Sequence, residues 1–235
     1  MCYSNSSTSS NESLGQFYKR SAQLLPPETP LYYANGFSFP TWRIITKSSN
    51  IERMKWGLIP QWYHGNSPLD FAAKTLNARV ETLHEKASFK LLTSSHRCVV
   101  PSTGFFEFKH LNSAKIPYFI YPKHHPIFSM AGLYDEWFNP ETNEYLRCFT
   151  IITAAANPLM EEIHNIKKRM PLIIPNHEVE QFLSGSDDIR DFSPIPSEEM
   201  CAHTVAKGII LSPQPNTPAV QEAIVNNIEV QTRLF

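Results

Sequence analysis

Cys2 directly follows the initiator methionine. Loss of Met1, which a small second residue favours, gives Cys2 a thiol and a free α-amine on neighbouring carbons. Such an amine condenses with an aldehyde to an imine, and the thiol closes on that imine to give a thiazolidine. The unperturbed α-amine titrates at about 7.7–8.0 and a thiol at about 8.5, so both are partly reactive near neutral pH. A cysteine at the second position also occurs by chance, and by itself it carries little.

Three further segments hold chemistry-bearing side chains. NARVET (77–82) combines an amide, a guanidinium and a carboxylate. Asn77 and Arg79 can present donors to a carbonyl or an anion, and Arg suits phosphate. The plainer reading is a helix cap with surface charges. GFFEFK (104–109) sets Glu107 among phenylalanines. Strand alternation puts Phe105, Glu107 and Lys109 on one face and Phe106 and Phe108 on the other. A carboxylate in aromatic surroundings suits proton transfer, although an outward-facing strand Glu is the commoner case. IHNIKKRMP (163–171) joins His164 to Lys167, Lys168 and Arg169. Histidine is matched to proton transfer near pH 7, and the basic run is the strongest local positive patch. A solvated turn with a His at a helix end explains it equally well. Phe37, Trp56, Trp62, Tyr63 and Phe108 lie near these segments. Unpaired bases stack on such rings, whereas core packing is the better reading of Trp56. Trp62 and Tyr63 follow Pro60 in a loop and are the better candidates for exposure.

These residues need a scaffold. The 235 residues (26.9 kDa) are 42% hydrophobic, enough for a packed core in one large domain or two small ones. Twenty-one Lys and Arg against 22 Asp and Glu give a net charge of −1, which excludes a polycation but not a local basic groove. No apolar run reaches the roughly 20 residues of a membrane span, and the polar MCYSNSSTSSNE start is no signal peptide. The four cysteines form no CxxC pair, so reduced thiols in a cytoplasmic setting are expected, with no metal site and no cofactor.

Nineteen prolines against eight glycines suggest many short elements joined by loops. Residues 4–13 read as a Ser-rich loop or frayed helix approach, and 31–40 as extended. Segments 42–49, 54–62, 97–110, 116–122, 127–138, 145–156, 169–175 and 208–212 read as strands. Residues 75–95 read as the first helix, with Val80, Leu83, Ala87 and Leu91 at helical spacing. Shorter helices are expected over 156–165, 177–183 and 219–224. The fold class is therefore α+β, a single domain over 1–235 with a mainly antiparallel, barrel-like sheet and flanking helices.

Cys2 after Met1, WGLIPQW, LNARVET, RCVVPSTGFFEF, AGLYDEW, TAAAN and H…RMPLII occur in the order found in the SRAP-domain family (SOS response-associated peptidase), and the chain resembles that family over about residues 1–175. The resemblance implies an abasic-site sensor that binds single-stranded DNA as a monomer and crosslinks to the lesion through Cys2. It implies that Asn77 orients the amine or the sugar, that Glu107 shuttles protons, and that His164 assists ring opening and binds the lesion's phosphate. Arg79 and Arg169 would hold flanking phosphates. Trp62, Tyr63 and Phe108 would support a bend in the strand, and Asn35 and Pro40 would complete the DNA-binding set. Lyase and autoproteolytic activities belong to the same expectation, as does association with the nucleoid when bound to DNA. The chain departs from the family pattern in three places. Tyr3 and Ser4 replace the usual Gly-Arg, Asn165–Lys168 lengthen the turn between His164 and Arg169, and Phe108 stands where a Trp follows the Glu. A thiol peptidase or amidohydrolase using the same N-terminal nucleophile is the alternative, and a passive single-strand binder is a third reading.

Overall fold

The computed structural model describes residues 3–224. The chain enters through β1 (Ser4–Ser7), helix α1 (Asn11–Tyr18) and β2 (Leu31–Asn35). It continues through β3 (Thr41–Ile44), β4 (Glu52–Trp56), α2 (Pro68–Lys74) and β5 (Asn77–Arg79). A run of strands follows: β6 (Arg97–Ser102), β7 (Gly104–Leu111), β8 (Ala114–Pro122), β9 (Phe128–Asn139) and β10 (Glu144–Ala155). Then come α3 (Pro158–Ile163), β11 (Arg169–Pro171), β12 (Ile173–Ile174), α4 (Val179–Ser184), β13 (Met200–Thr204) and α5 (Lys207–Ile210).

The strands form two sheets. One has the order β13-β8-β7-β1-β2; the other runs β12-β9-β10-β4-β3, with β5 and β11 also paired to β10 and β6 to β9. Pairing is antiparallel except where β10 runs parallel to β4 and β5. The second sheet curls until the isolated bridge Ile45–Val99 brings the end of β3 against β6, so it is barrel-like without being a continuously paired closed barrel. Its interior buries Trp42, Met54, Trp56, Cys98, Val100, Met130, Phe149 and Ile151 together with Phe105 and Ile120 of the first sheet. Trp56 is indeed core: its Nε1 donates to the Leu76 carbonyl (2.8 Å) and its ring stacks on Phe149. A smaller cluster of Phe106, Phe119, Val205, Ile210 and Val220 covers the other face of β7. Among the described residues no helix is long and apolar enough to cross a membrane.

Four expectations are corrected. Residues 75–95 are not a helix. β5 opens the segment, Val80 N–H donates to the Thr153 carbonyl, and the remainder is a chain of turns up to Ser95. Helical spacing was present, but pairing of β5 with the buried β10 overrides a preference worth only tenths of a kcal/mol per residue. Residues 4–7 are a fully buried strand rather than loop, and α1 follows from the cap Ser10, whose Oγ accepts from Ser13 N–H at 3.0 Å. The 208–212 strand is instead the short α5, since the edge of the first sheet is already filled by β13 on β8. The 219–224 helix is a 3-10 turn over Pro218–Gln221, after which Ala223 bridges to Val205. The strands expected over 42–49 and 54–62 stop early, at Ile44 and Trp56, and the extended segment 31–40 turns into a 3-10 turn at Gly36–Ser38; the remaining strand and helix expectations meet elements within a few residues of their bounds. The segment after 175 closes the first sheet: Gln221 Nε2 donates to Ser6 Oγ and to the Tyr32 carbonyl, both at 2.8 Å.

Candidate active site

β1 runs alongside the strand that carries Glu107. Its four side chains are polar, yet all are buried, so each needs a partner. Ser4 Oγ donates to Tyr33 Oη (2.9 Å), Ser6 Oγ meets Thr103 Oγ1 (2.7 Å), and Ser7 Oγ accepts from Arg43 Nη2 (2.8 Å). Asn5 Oδ1 accepts from Ser102 Oγ and from Ser6 N–H. The strand is held between β2 and β7, with Ser4 opposite Asn35 on one side and Phe106 on the other. Tyr3 is fixed as well, because its carbonyl accepts from Gly36 N–H (2.7 Å) and its ring meets Phe37 at 4.8 Å. Traced toward the N-terminus, β1 therefore runs along β7 from Phe106 toward Glu107. Cys2 itself lies outside the described residues.

Glu107 obeys the alternation read from the sequence. Phe105, on its face, enters the larger core, whereas Phe106 packs on the far side of β7 with Phe108 half-buried beside it. Glu107 is buried at 6% exposure rather than turned to solvent. Across from it His164, also buried, caps the C-terminus of α3. Its Nδ1 lies 3.8 Å from Glu107 Oε1 and 2.8 Å from the Arg169 carbonyl. A carbonyl only accepts, so Nδ1 carries the hydrogen in that bond.

The lengthened turn is well tied. Lys168 adopts left-handed backbone (φ 49°), its N–H donates to the His164 carbonyl (2.8 Å), and its own carbonyl accepts from Ala156 N–H. Asn165 grips β7 reciprocally: its Nδ2 donates to the His110 carbonyl (2.7 Å) while its Oδ1 accepts from His110 N–H (3.0 Å). Lys109 on β7 also pairs with Glu162 on α3 (2.6 Å). Glu107 and His164 thus sit on two elements laced together beside them. Asn157 starts α3 by accepting from Met160 N–H at 3.0 Å.

Asn77 and Arg79 lie on β5, opposite Ile151 and Thr153 of β10. Asn77 is buried and Arg79 exposed. Arg169 pairs back onto the same stretch of β10, opposite Ala155. Its guanidinium is buried, donating through Nη1 and Nη2 to the two oxygens of Glu81 (2.5 and 3.0 Å) and through Nη2 to the Thr153 carbonyl (2.6 Å). Burial pushes the Glu81 carboxyl up, but the Arg169 hydrogen bond, with the charges of Arg169 and Arg79, holds it below the usual carboxylate range.

The structure thus brings Glu107, His164 and Arg169 together, with Asn77 and Arg79 reached through β10. The aromatic candidates sit elsewhere. Trp62 is half exposed and edges onto Phe71 of α2, and Tyr63 packs on the same ring at 4.6 Å. They flank the helix that leads into β5. Asn35 caps the turn at Gly36 by accepting from Phe37 N–H (3.0 Å), and the Pro40 carbonyl accepts from Trp56 N–H (3.0 Å). Sequence reasoning gave no role to Glu81 or Thr153 and read Asn165 only as the start of a lengthened turn. Only Glu81 carried a signal, as the carboxylate of NARVET.

Three comparisons bear on this arrangement. The family model of SOS response associated peptidase (SRAP) matches residues 1–210. The abasic site processing protein YoqW of Bacillus subtilis is 37% identical over 188 residues, covering 77% of this chain and 80% of that protein. The abasic site processing protein HMCES of Xenopus tropicalis is 34% identical over 194 residues, covering 73% of this chain and 57% of its own length. A crystal structure of a Bacteroides thetaiotaomicron protein superposes with a TM-score of 0.87 at 36% identity, covering 94% of this chain and 99% of that one.

Proposed function

The chain belongs to the SOS response associated peptidase (SRAP) family, and we propose that it processes abasic sites in single-stranded DNA by crosslinking to them through Cys2. The observation that carries this reading is the buried Glu107–His164 couple, set beside the path along which β1 leads toward the N-terminus.

An abasic sugar is mostly closed, and only its open form has an aldehyde. Opening moves a proton from the C1′ hydroxyl to the ring oxygen. His164 is oriented for that transfer, because the Arg169 carbonyl accepts its Nδ1 hydrogen and fixes the plane of the ring beside Glu107. The Cys2 amine then adds to the aldehyde carbon to give a carbinolamine. Glu107 protonates the departing hydroxyl, water leaves, and the iminium so formed returns its N–H proton to Glu107 to give an imine. The thiol adds to the imine carbon, its proton passes to nitrogen, and a thiazolidine closes. The sum is amine plus thiol plus aldehyde giving thiazolidine plus one water, with Glu107 restored. Asn77 orients the amine or the sugar from β5. Arg79 supplies a solvent-facing cation for the strand, and Trp62 and Tyr63 offer rings to neighbouring bases. We place residues 1–235 in one functional unit. Lyase release of the strand would start from the same imine.

The test is a denaturing gel of Met1-free protein with uracil-containing single-stranded DNA after glycosylase treatment, with intact mass spectrometry alongside. One heat-stable adduct per lesion is expected, lost in Cys2→Ala while binding to a tetrahydrofuran-bearing strand persists. Undiminished adduct in Cys2→Ala overturns the reading. Turnover of peptides without DNA points instead to an amidohydrolase.

A further inference from the structure

Arg169 offers a planar two-pronged donor of the kind that suits a phosphate, yet in this structure both prongs hold a carboxylate. Glu81 accepts from Nη1 and Nη2 in the fork-on-fork manner. The two partners are unequal. The Arg169 side chain is 10% exposed and is anchored underneath by the Thr153 carbonyl, whereas the Glu81 side chain is 48% exposed. The fork is therefore built in and its anion sits at the surface, where a side chain can turn away. Arg79, two residues before Glu81 and exposed, adds a second guanidinium whose charge acts on the same carboxylate. The buried Nε of Arg169 has no hydrogen-bond partner among the described residues, so the carboxylate leaves one donor unused.

We propose that Glu81 is an internal stand-in for a strand phosphate: its carboxylate fills the Arg169 fork in the DNA-free protein, and a DNA phosphate takes its place on binding. The proposal rests on the reading that the chain binds single-stranded DNA, and it names the residue that sets how tightly. With Glu81 in place the site presents little net charge, which holds down affinity for strands that merely carry phosphates. A strand that seats its lesion gains contacts elsewhere and can displace the carboxylate. The exchange swaps one charge-assisted pair for another, so its free energy is small and the displacement reversible.

The experiment measures affinity for a single strand bearing a tetrahydrofuran abasic analogue, which cannot form an imine, across a salt series. Glu81→Gln frees the fork and is expected to bind severalfold tighter at about 0.1 M salt. Its log K against log salt should steepen by up to about 0.7, because in wild type the displaced Glu81 carboxylate takes up a cation that offsets the counterion released by the phosphate, and Gln takes up none. Glu81→Asp, which keeps the charge, should hold the wild-type slope. Removing any surface carboxylate raises affinity a little through the general field, and the background Arg169→Lys separates the two causes. If the fork is responsible, Glu81→Gln gains much less in that background. An equal gain there overturns the proposal, as does unchanged or weaker binding of a folded Glu81→Gln. Thermal melting of each variant checks that it is folded. Absence of wild-type binding and of any adduct with a true abasic strand is a separate result: it defeats the function reading itself, and this inference with it.

Discussion

Replacing Arg43 tests how β1 is held beside β7 and Glu107. Arg43 is only 4% exposed. Its Nη2 donates to Ser7 Oγ at the end of β1 (2.8 Å), its Nη1 to Asn11 Oδ1 at the start of α1 (3.0 Å), and its Nε pairs with Glu28 (3.0 Å). Removing one member of a buried ion pair costs about 3–5 kcal/mol, mostly through the groups left behind. Here Glu28 keeps Arg53 at 3.3 Å and is partly exposed, so the lower end applies, about 3 kcal/mol for Arg43→Met. In a chain of this size each kcal/mol moves the melting point by about 2–4 °C, giving a fall of about 6–12 °C. Arg43→Lys keeps the charge but cannot span Ser7 and Asn11 together, and should fall about half as far. Thermal unfolding followed by circular dichroism reads both. Adduct formation at a temperature where the variant is still folded reads the functional consequence, and it should slow because the strand leading to Cys2 has lost an anchor. A melting point for Arg43→Met within about 2 °C of wild type would refute the reasoning. It would mean that the ladder to β2 and β7 alone holds the strand.

Glu107→Gln should slow adduct formation by about 10²-fold or more, the usual yield of one acid–base group, with little change in affinity for a tetrahydrofuran strand; the rate comes from a gel time course. Among the described cysteines, Cys201 should react first with a maleimide under native conditions. Burial holds the Cys98 thiol well above its ordinary range and pushes that of Cys148 up to about 12, so both stay protonated and shielded; peptide mapping reads the order. The Glu81 carboxyl is held below its ordinary range. Its ion pair therefore contributes stability above the unfolded value of about 4.3 that is lost as the pH falls through the lower folded value. Melting points of wild type and Glu81→Gln should converge on acidification below that pH, and a constant gap would show the pair to be uncharged or inert.

How far the sequence disclosed this fold depended on what each segment's partners were. The strands from β6 to β10 are hydrophobic runs broken by turn residues, and their local pattern agrees with their burial, so they were legible. β1 was not. Ser-Asn-Ser-Ser carries no apolar signal, and it is a strand only because Tyr33, Thr103, Arg43 and Ser102 supply hydrogen bonds from elsewhere in the chain. Residues 80–95 fail in the opposite sense. They hold a helical pattern, but β5 is drawn into the second sheet and the following residues return as turns over the core, burying Leu83, Phe89 and Leu92. Local preference was readable in both places, and nonlocal pairing decided both.

The site shows the same division, with one instructive exception. Alternation along β7 put Glu107 opposite the face of Phe106 and Phe108, and the structure agrees; what alternation could not give was that the face was buried. From the sequence, Asn165–Lys168 only lengthen the turn between His164 and Arg169. Slack would let the imidazole rotate and leave its proton undirected. The structure instead makes the extra residues into a brace. Lys168 takes the left-handed backbone that turns the chain back, Asn165 clasps the β7 backbone at His110 from both its donor and its acceptor, and the Arg169 carbonyl thereby arrives 2.8 Å from His164 Nδ1. An insertion that serves only as a spacer tolerates Asn165→Ala. A brace does not: loss of the clasp leaves the His110 amide and carbonyl at the edge of the site without their partner, and lets α3 shift against β7. Asn165→Ala should therefore lower the rate of adduct formation more than strand affinity, and long-range ¹⁵N spectra of the imidazole should show the Nδ1–H form of His164 giving way to a mixture of tautomers. Unchanged rate and an unchanged tautomer would return the turn to the status of a spacer and leave β11 pairing as the sole support of the Arg169 carbonyl.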